Sequence, residues 1–153
     1  MRFATNAVML TLLLATQVEA QALTPEAAAL VARAGLRQAA VSSCAGEFKS
    51  GETGAFAVAL AASLDSGRYV ILGPDASVTE LAKFAGDPDL SCYTRAEAEA
   101  LHAAIRESET IAGEIVPRFD TTVVCGLVRD TESTCWQYSP TERAFIRVGG
   151  WIT

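Results

Sequence analysis

The histidine His102 is the residue of this chain best suited to acid–base or metal chemistry, and the sequence contains no other histidine. Glu99 lies three residues before it and Arg106 four residues after it, on one face of a predicted helix. A Glu–His pair can serve as a base with its orienting partner, or as two metal ligands. A metal site needs three or four ligands, however, and the spacing supplies no further histidine. The surrounding charges therefore favour a solvent-exposed helix histidine.

Two carboxylates close together, in Asp87-Pro88-Asp89, are the nearest approach to a calcium motif. A single pair of aspartates falls short of the ligand spacing of a calcium-binding loop. Asp-Pro is also common at the start of a turn. Other acids are numerous enough for a hydrolase, but no pattern selects two of them. No Gly-x-Ser-x-Gly motif is present. The sequence predicts no catalytic residue, no metal and no cofactor.

The chain has four cysteines, which is an even number, and none forms a Cys-x-x-Cys pair. In an exported protein this pattern predicts two disulfides, with three possible connectivities. Cys125 and Cys135 flank a turn at residues 130–133 and can face each other across a hairpin. Cys44 ends the first predicted helix, and Cys92 precedes the second. The favoured connectivity is Cys44–Cys92 with Cys125–Cys135.

Aromatic residues and an arginine near the C-terminus are the strongest candidates for a binding surface. Trp136 and Tyr138 share one face of a predicted strand, whereas Arg147 and Trp151 share a face of the next. If both sets meet on an exposed side of the sheet, they form the kind of surface enriched at protein interfaces. The competing interpretation is that each tryptophan fills the core, because this chain has few other large side chains.

Two helices are predicted from their capping residues. Thr24 is a good N-cap with Pro25 at the first helical position, and the alanine-rich stretch continues to about Val41. A capping box at Thr94–Glu97 opens the second helix, which runs to about residue 107.

Strands account for most of the remaining chain. They are predicted at 55–60, 68–72, 114–119, 121–128, 133–138 and 145–152, with 77–85 ambiguous but closer to a strand than to a helix. Pro117 makes 114–119 an edge strand, and the β-branched run 121–128 favours a central one. Because helices and strands are segregated, the predicted class is α+β, an antiparallel meander sheet with two helices and two disulfides.

An export signal is predicted at the N-terminus. Arg2 precedes an apolar run at residues 7–15, and Val18-Glu19-Ala20 provides a signal-peptidase site. The apolar run is half the length that a spanning helix needs. Residues 1–20 are therefore predicted to be a cleaved signal peptide, and residues 21–153 a single small domain without membrane insertion. The net charge of −6 argues against nucleic acid and anionic membranes as partners.

Residues 46–60 are similar to exported bacterial modules that read GDF-DG-G-DYAVLL, in which a loop of aspartates, in some cases with calcium, precedes a strand. The aspartate positions are held here by Glu47, Lys49, Glu52 and Ala55. The resemblance therefore implies a loop followed by a strand, without a metal site.

Residues 90–151 resemble the tail of small exported proteins of Gram-negative bacteria that have no assigned activity. The segments that carry the resemblance are Thr121–Gly126, Cys135–Pro140 and Val148–Trp151. This resemblance implies a periplasmic location.

Three functions remain open on these observations. The leading hypothesis is a non-enzymatic periplasmic module that binds or modulates another envelope protein, for example a hydrolase inhibitor. The second is a small periplasmic hydrolase that uses carboxylates, with or without His102. The third is a structural or stress-related envelope protein without a discrete site.

Overall fold

The computed structural model describes residues 23–153, which fold into two helices and nine strands. The helices are α1 (Pro25–Arg33) and α2 (Arg95–Glu107). The strands are β1 (Ala39–Gly46), β2 (Ala55–Ser63), β3 (Ser66–Leu72), β4 (Val78–Ala85), β5 (Leu90–Tyr93), β6 (Ala112–Ile115), β7 (Val123–Arg129), β8 (Glu132–Ser139) and β9 (Ala144–Ile152). The predicted signal peptide lies outside the described residues. Neither helix is long and apolar enough to cross a membrane.

The strands form two antiparallel sheets that pack face to face. Sheet 1 has the order β1-β2-β3-β4, and sheet 2 has the order β5-β7-β8-β9-β6. Helix α1 packs on the outer face of sheet 1 through Leu30, and α2 packs on the outer face of sheet 2 through Ala98 and Ile105. The predicted α+β class, with antiparallel strands, two helices and two disulfides, is confirmed. The strands divide between two sheets rather than forming one meander.

Strand β3 shows why the central strands are hydrophobic at consecutive positions. Tyr69 and Ile71 point into the space between the sheets, whereas Val70 and Leu72 point toward α1. Because successive side chains alternate between the faces of a strand, a strand covered on both faces needs apolar residues throughout. On β2 the inward positions carry small side chains, which leave room for aromatic rings between the sheets: Ala55, Ala57 and Ala59.

The first helix ends earlier than predicted. It stops at Arg33 instead of Val41, because Gly35 adopts the left-handed conformation with φ +69°. The N–H of Gly35 then donates to the carbonyl of Ala32, and the N–H of Leu36 donates to that of Val31. This is the Schellman arrangement that closes many helices. The residues beyond it form β1, which pairs with β2.

The other local predictions agree more closely with the structure. Thr94 and Glu97 form the predicted capping box at the start of α2. Residues 78–85 are the strand β4, as favoured. Strand β6 lies at the edge of sheet 2 as predicted, but it spans Ala112–Ile115 instead of 114–119, and β7 lies in the interior between β5 and β8. The capping box of α2 and the β-branched run of β7 are strong local signals, which explains the agreement there.

The two disulfides have the predicted connectivity but different structural roles. Cys44–Cys92 joins β1 of sheet 1 to β5 of sheet 2, so it links the two layers. Cys125–Cys135 joins directly opposed residues of the paired strands β7 and β8. Cys44 lies on a strand and not at a helix end, because α1 has already stopped at Arg33. Two disulfides are consistent with export to an oxidising compartment.

Tyr69 connects the two sheets through its ring and its hydroxyl group. The hydroxyl donates to the carbonyl of Leu127 at 2.6 Å and accepts from the N–H of Asp89 at 3.1 Å. The ring lies against Gly126, where a Cβ atom would come within 2.6 Å of it. Burial of the hydroxyl is the main reason that the pKa of Tyr69 rises to about 12. The fold therefore holds Tyr69 in its neutral form.

We expect the alkaline stability of the protein to depend on Tyr69. Its pKa is about 12 in the folded chain against an ordinary value of 10.0, so the unfolded chain loses this proton first. The contribution to the free energy of unfolding is complete below pH 10.0 and is lost as the pH rises toward about 12. Across that pH range, the free energy of unfolding measured with urea should decline less for Tyr69→Phe than for the natural protein. An unchanged decline in Tyr69→Phe would contradict the assignment.

Candidate binding surface

Trp136 and Tyr138, two of the predicted interface residues, make most of their contacts with other residues of this chain. Trp136 is only 7% exposed and packs between the sheets, with its ring 6.5 Å from that of Tyr69. Tyr138 is half-buried, and its ring meets Phe145 edge-on at 5.4 Å. The Lys49 ammonium lies 4.8 Å from the centre of the Tyr138 ring. Trp136 therefore fills the core, and the face of Tyr138 is covered by Lys49.

Arg147 and Trp151, the other two predicted interface residues, lie on opposite faces of sheet 2. Arg147 pairs with Trp136, whereas Gly149 pairs with Cys135, so the register between β8 and β9 shifts at this point. Such a bulge inverts the alternation of side chains along the strand. Trp151 consequently packs on the α2 side, and Arg147 lies on the side of sheet 1. The single aromatic-plus-arginine surface expected from the sequence is not formed.

Sheet 1 covers only part of the inner face of sheet 2. Contacts between the sheets are concentrated at β5 and β7, so that within residues 23–153 the inner face of β6, and of β9 beyond Phe145, is uncovered. A depression of about 610 Å³ lies there. We call it the open face, defined by six side chains around Gly150: Glu114, Val116, Arg118, Glu132, Arg147 and Ile152.

Glycines form the floor of the open face. A Cβ atom at Gly150 would collide with the carbonyl oxygen of Ser133, and one at Gly149 would collide with that of Glu114. Only glycine therefore lets β9 lie this close to both of its neighbouring strands. The Gly149-Gly150 pair is visible in the sequence, but its meaning depends on strand pairings that the sequence does not reveal.

The rim of the open face combines free charges with exposed apolar side chains. Val116 is 52% exposed and Ile152 is 56% exposed. Within residues 23–153 the ion pairs join Arg95 to Glu99 and to Asp120, and none involves a rim residue. The charged rim residues are Glu114, Arg118, Glu132 and Arg147. Of these, only Arg147 was singled out from the sequence.

Gln137 fixes the segment that carries Arg118. Its side chain is fully buried, and its amide oxygen accepts from the N–H groups of Arg118 and Phe119 at 2.9 and 3.3 Å. Its amide nitrogen donates to the carbonyls of Phe119 and Thr121 at 2.8 and 2.9 Å. All four hydrogen-bonding positions of the amide are thus used, which holds the connection between β6 and β7 in one conformation.

His102 lies on α2 and contacts the free edge of β6, one of the strands that carry the open face. Its Nδ1 atom accepts from the N–H of Ile115 at 3.0 Å, on the edge of β6 that faces away from β9. The expected solvent-exposed histidine is therefore corrected to a half-buried one that covers an edge strand. The expected Glu99–His102 pair is not formed either, because Glu99 binds Arg95 at 3.0 Å.

The Asp87-Pro88-Asp89 turn connects the sheets through its backbone. The carbonyl of Asp89 accepts from the N–H of Leu127 at 2.9 Å, and its N–H donates to the Tyr69 hydroxyl. Throughout residues 23–153, no three side chains among His, Cys, Asp and Glu are arranged to hold a metal ion.

Comparison with protein-family models, with curated proteins and with solved structures finds no match to this chain. The resemblance to exported bacterial proteins therefore stays a prediction. The function of the open face has to be inferred from its own residues.

Proposed function

We propose that this chain is an exported, non-enzymatic binding module that recognises another protein of the cell envelope through its open face. The observation that carries the proposal is the uncovered part of sheet 2, with its glycine floor and its rim of free charges. Within residues 23–153, α2 packs against one side of β9 and β6, and most of their other side is uncovered. An accessible surface that combines exposed apolar side chains with charged groups suits contact with another protein.

The rigidity of the open face also supports recognition of a protein partner. His102 holds β6 from outside, and Gln137 holds the connection that follows it. A surface fixed before binding loses little conformational freedom when a partner docks. A hydrolase inhibitor is one specific form of this function, because inhibitors present such preorganised surfaces. The export part of the proposal is supported by the predicted signal peptide and by the two disulfides.

The second candidate function, a carboxylate-dependent hydrolase, has its best acid pair on the same surface. Glu114 on β6 and Glu132 on β8 both line the open face, with β9 between them. Glu114 pairs with Gly150 and Glu132 with Ile152, so their backbones are two interstrand spacings apart and offset by two residues, roughly 12 Å in all. A backbone separation does not set the distance between the carboxyl groups, so the pair selects neither glycosidase geometry. Because the depression is open to solvent, binding is the better supported function.

Photo-crosslinking in the native envelope tests the binding function. A photoreactive residue at Val116 should give a discrete adduct with a second protein, because Val116 projects from the rim. The control position is Leu64, which is fully exposed at the tip of the β2–β3 hairpin, away from the open face. An adduct from Val116 and none from Leu64 is the expected result. Equal labelling from both positions, or none from Val116, would contradict the proposal.

A further inference from the structure

We propose that the disulfide Cys44–Cys92 is a redox-sensitive lock on the seam between the two sheets, and that a dithiol opens it while Cys125–Cys135 stays closed. The seam is the line along which β1, an edge strand of sheet 1, faces β5, an edge strand of sheet 2. Three observations carry the inference: the burial of each disulfide, the space beside it, and the way the seam is held together. The open face lies on β6 and β9 and plays no part in it.

The two disulfides differ in their accessibility to solvent. Cys125 and Cys135 are 2% and 0% exposed and lie in the cluster that α2 covers. Cys44 and Cys92 are only partly buried, at the margin of the core between the sheets. Because thiol–disulfide exchange requires direct contact between sulfur atoms, access decides which disulfide a reductant attacks. In the folded chain that disulfide is Cys44–Cys92.

Two depressions flank this disulfide along the seam. One, of about 240 Å³, is lined by residues 41–43 of β1 and by residues 88–91. The other, of about 420 Å³, includes residues 45–47 and 92–94 in its lining. Because Cys92 lines the larger depression, we expect a reductant to approach its sulfur from that side.

Among the strands of residues 23–153, no ladder of hydrogen bonds joins β1 to β5, because β1 pairs with β2 and β5 pairs with β7. Beyond the end of β1, Glu47 and Thr122 exchange two hydrogen bonds of 2.9 and 3.0 Å. The hydroxyls of Ser42 and Ser43 are buried without a hydrogen-bond partner in this part of the chain. A buried hydroxyl without a partner costs free energy that contact with water restores. Both serines therefore favour local opening of the seam once the disulfide is cut.

The reduction is a two-electron exchange with the dithiol. One thiolate of the dithiol attacks the Cys92 sulfur, the bond from Cys92 to Cys44 breaks, and Cys44 leaves as a thiolate that takes up a proton. The second thiolate of the dithiol then attacks the sulfur now bonded to Cys92, and Cys92 leaves in the same way. The dithiol is oxidised to a disulfide, and the chain gains two thiols. The edge strand β1 is then free to separate from β5.

Timed reduction of the folded chain with dithiothreitol tests the selectivity. Free thiols are alkylated at each time point, and peptide mass mapping identifies the cysteines that carry the label. Cys44 and Cys92 should be labelled roughly tenfold faster or more than Cys125 and Cys135, because α2 must move before the second pair is reached. In concentrated urea the two pairs should be labelled at similar rates. Equal rates in the folded chain, or earlier labelling of Cys125 and Cys135, would overturn the inference.

Limited proteolysis with trypsin measures the opening of the seam. Arg37 and Lys49 are exposed and lie on either side of β1, whereas Arg129 and Arg143 lie at the β7–β8 and β8–β9 turns of sheet 2. Reduction should accelerate cleavage at Arg37 or Lys49 roughly tenfold, because β1 opens locally. Cleavage at Arg129 and Arg143 should keep its rate.

Paired variants separate the lock from a general loss of stability. Cys44→Ala with Cys92→Ala should reproduce the cleavage pattern of the reduced chain without any reductant, and Cys125→Ala with Cys135→Ala is the matched control that should not. Equal acceleration at all four trypsin sites would show that the whole chain unfolds, and unchanged cleavage would show that the seam stays closed. Either result would overturn the inference. Crosslinking from Val116 probes a different surface, so the proposed function and the lock can fail independently.

Discussion

Replacing Gln137 with methionine is expected to lower the free energy of unfolding by about 3–5 kcal/mol, because four hydrogen bonds to backbone groups are lost together. Methionine is unbranched and of similar size, so the substitution removes the hydrogen bonds with little change in packing. The backbone groups of Arg118, Phe119 and Thr121 would lose their hydrogen bonds to a side chain that is fully buried. Since small domains are stable by only about 5–15 kcal/mol, the loss is a large part of the total.

Urea unfolding of Gln137→Met measures the loss, and Gln38→Met is the matched control. Gln38 is the other glutamine of residues 23–153 and accepts a single hydrogen bond from Arg68 at 2.9 Å. We expect it to cost about 1 kcal/mol or less. Amide hydrogen exchange should also accelerate at Arg118 and Phe119 in Gln137→Met. Equal unfolding midpoints for the two variants would show that the Gln137 amide does not organise this segment.

Removing the disulfide between the sheets should have the second large effect. For a loop of 48 residues, loss of Cys44–Cys92 is expected to lower the free energy of unfolding by about 4 kcal/mol, because the unfolded chain gains freedom. For Cys125–Cys135, with a separation of 10 residues, the same relation gives about 2.7 kcal/mol. Paired Cys→Ala variants, unfolded in urea, compare the two. If the two losses in free energy of unfolding are equal, or if removal of Cys125–Cys135 costs more, constraint of the unfolded chain does not determine the effects of the disulfides.

The local signals of the sequence account for the parts of the fold that were predicted. Thr94 and Glu97 satisfy two backbone donors reciprocally, so the start of α2 is encoded within four residues. The early end of α1 was also encoded locally, at Gly35, but alanines on both sides of it resemble a continuing helix. The division into two sheets depends on β5 pairing with β7 instead of β4, a contact between strands that α2 and β6 separate along the chain. Periodicity along one strand carries no information about that partner.

The candidate surface was predicted only in part, for a similar reason. Arg147 is exposed, whereas Trp136 lies in the core because the inward alanines of sheet 1 need a large side chain opposite them. The bulge at Val148, which separates Arg147 from Trp151, has no sequence signal of its own. Arg118 and Glu114 lie on segments that are held by hydrogen bonds from the N–H groups of Arg118 and Ile115 to Gln137 and His102. Those bonds form only when the chain is folded.

The contact between Tyr69 and Gly126 offers a way to recognise distant relatives of this chain. The ring on one sheet fills the space above a residue without a side chain on the other, so position 126 cannot gain a side chain while the ring remains. A descendant that acquires a side chain at position 126 must replace the ring at position 69 with something smaller. The two positions therefore form a linked signature across 56 intervening residues, which a search can apply where overall identity is too low to detect. Paired with the cysteines at 44 and 92, it defines a pattern that marks the joint between the two sheets.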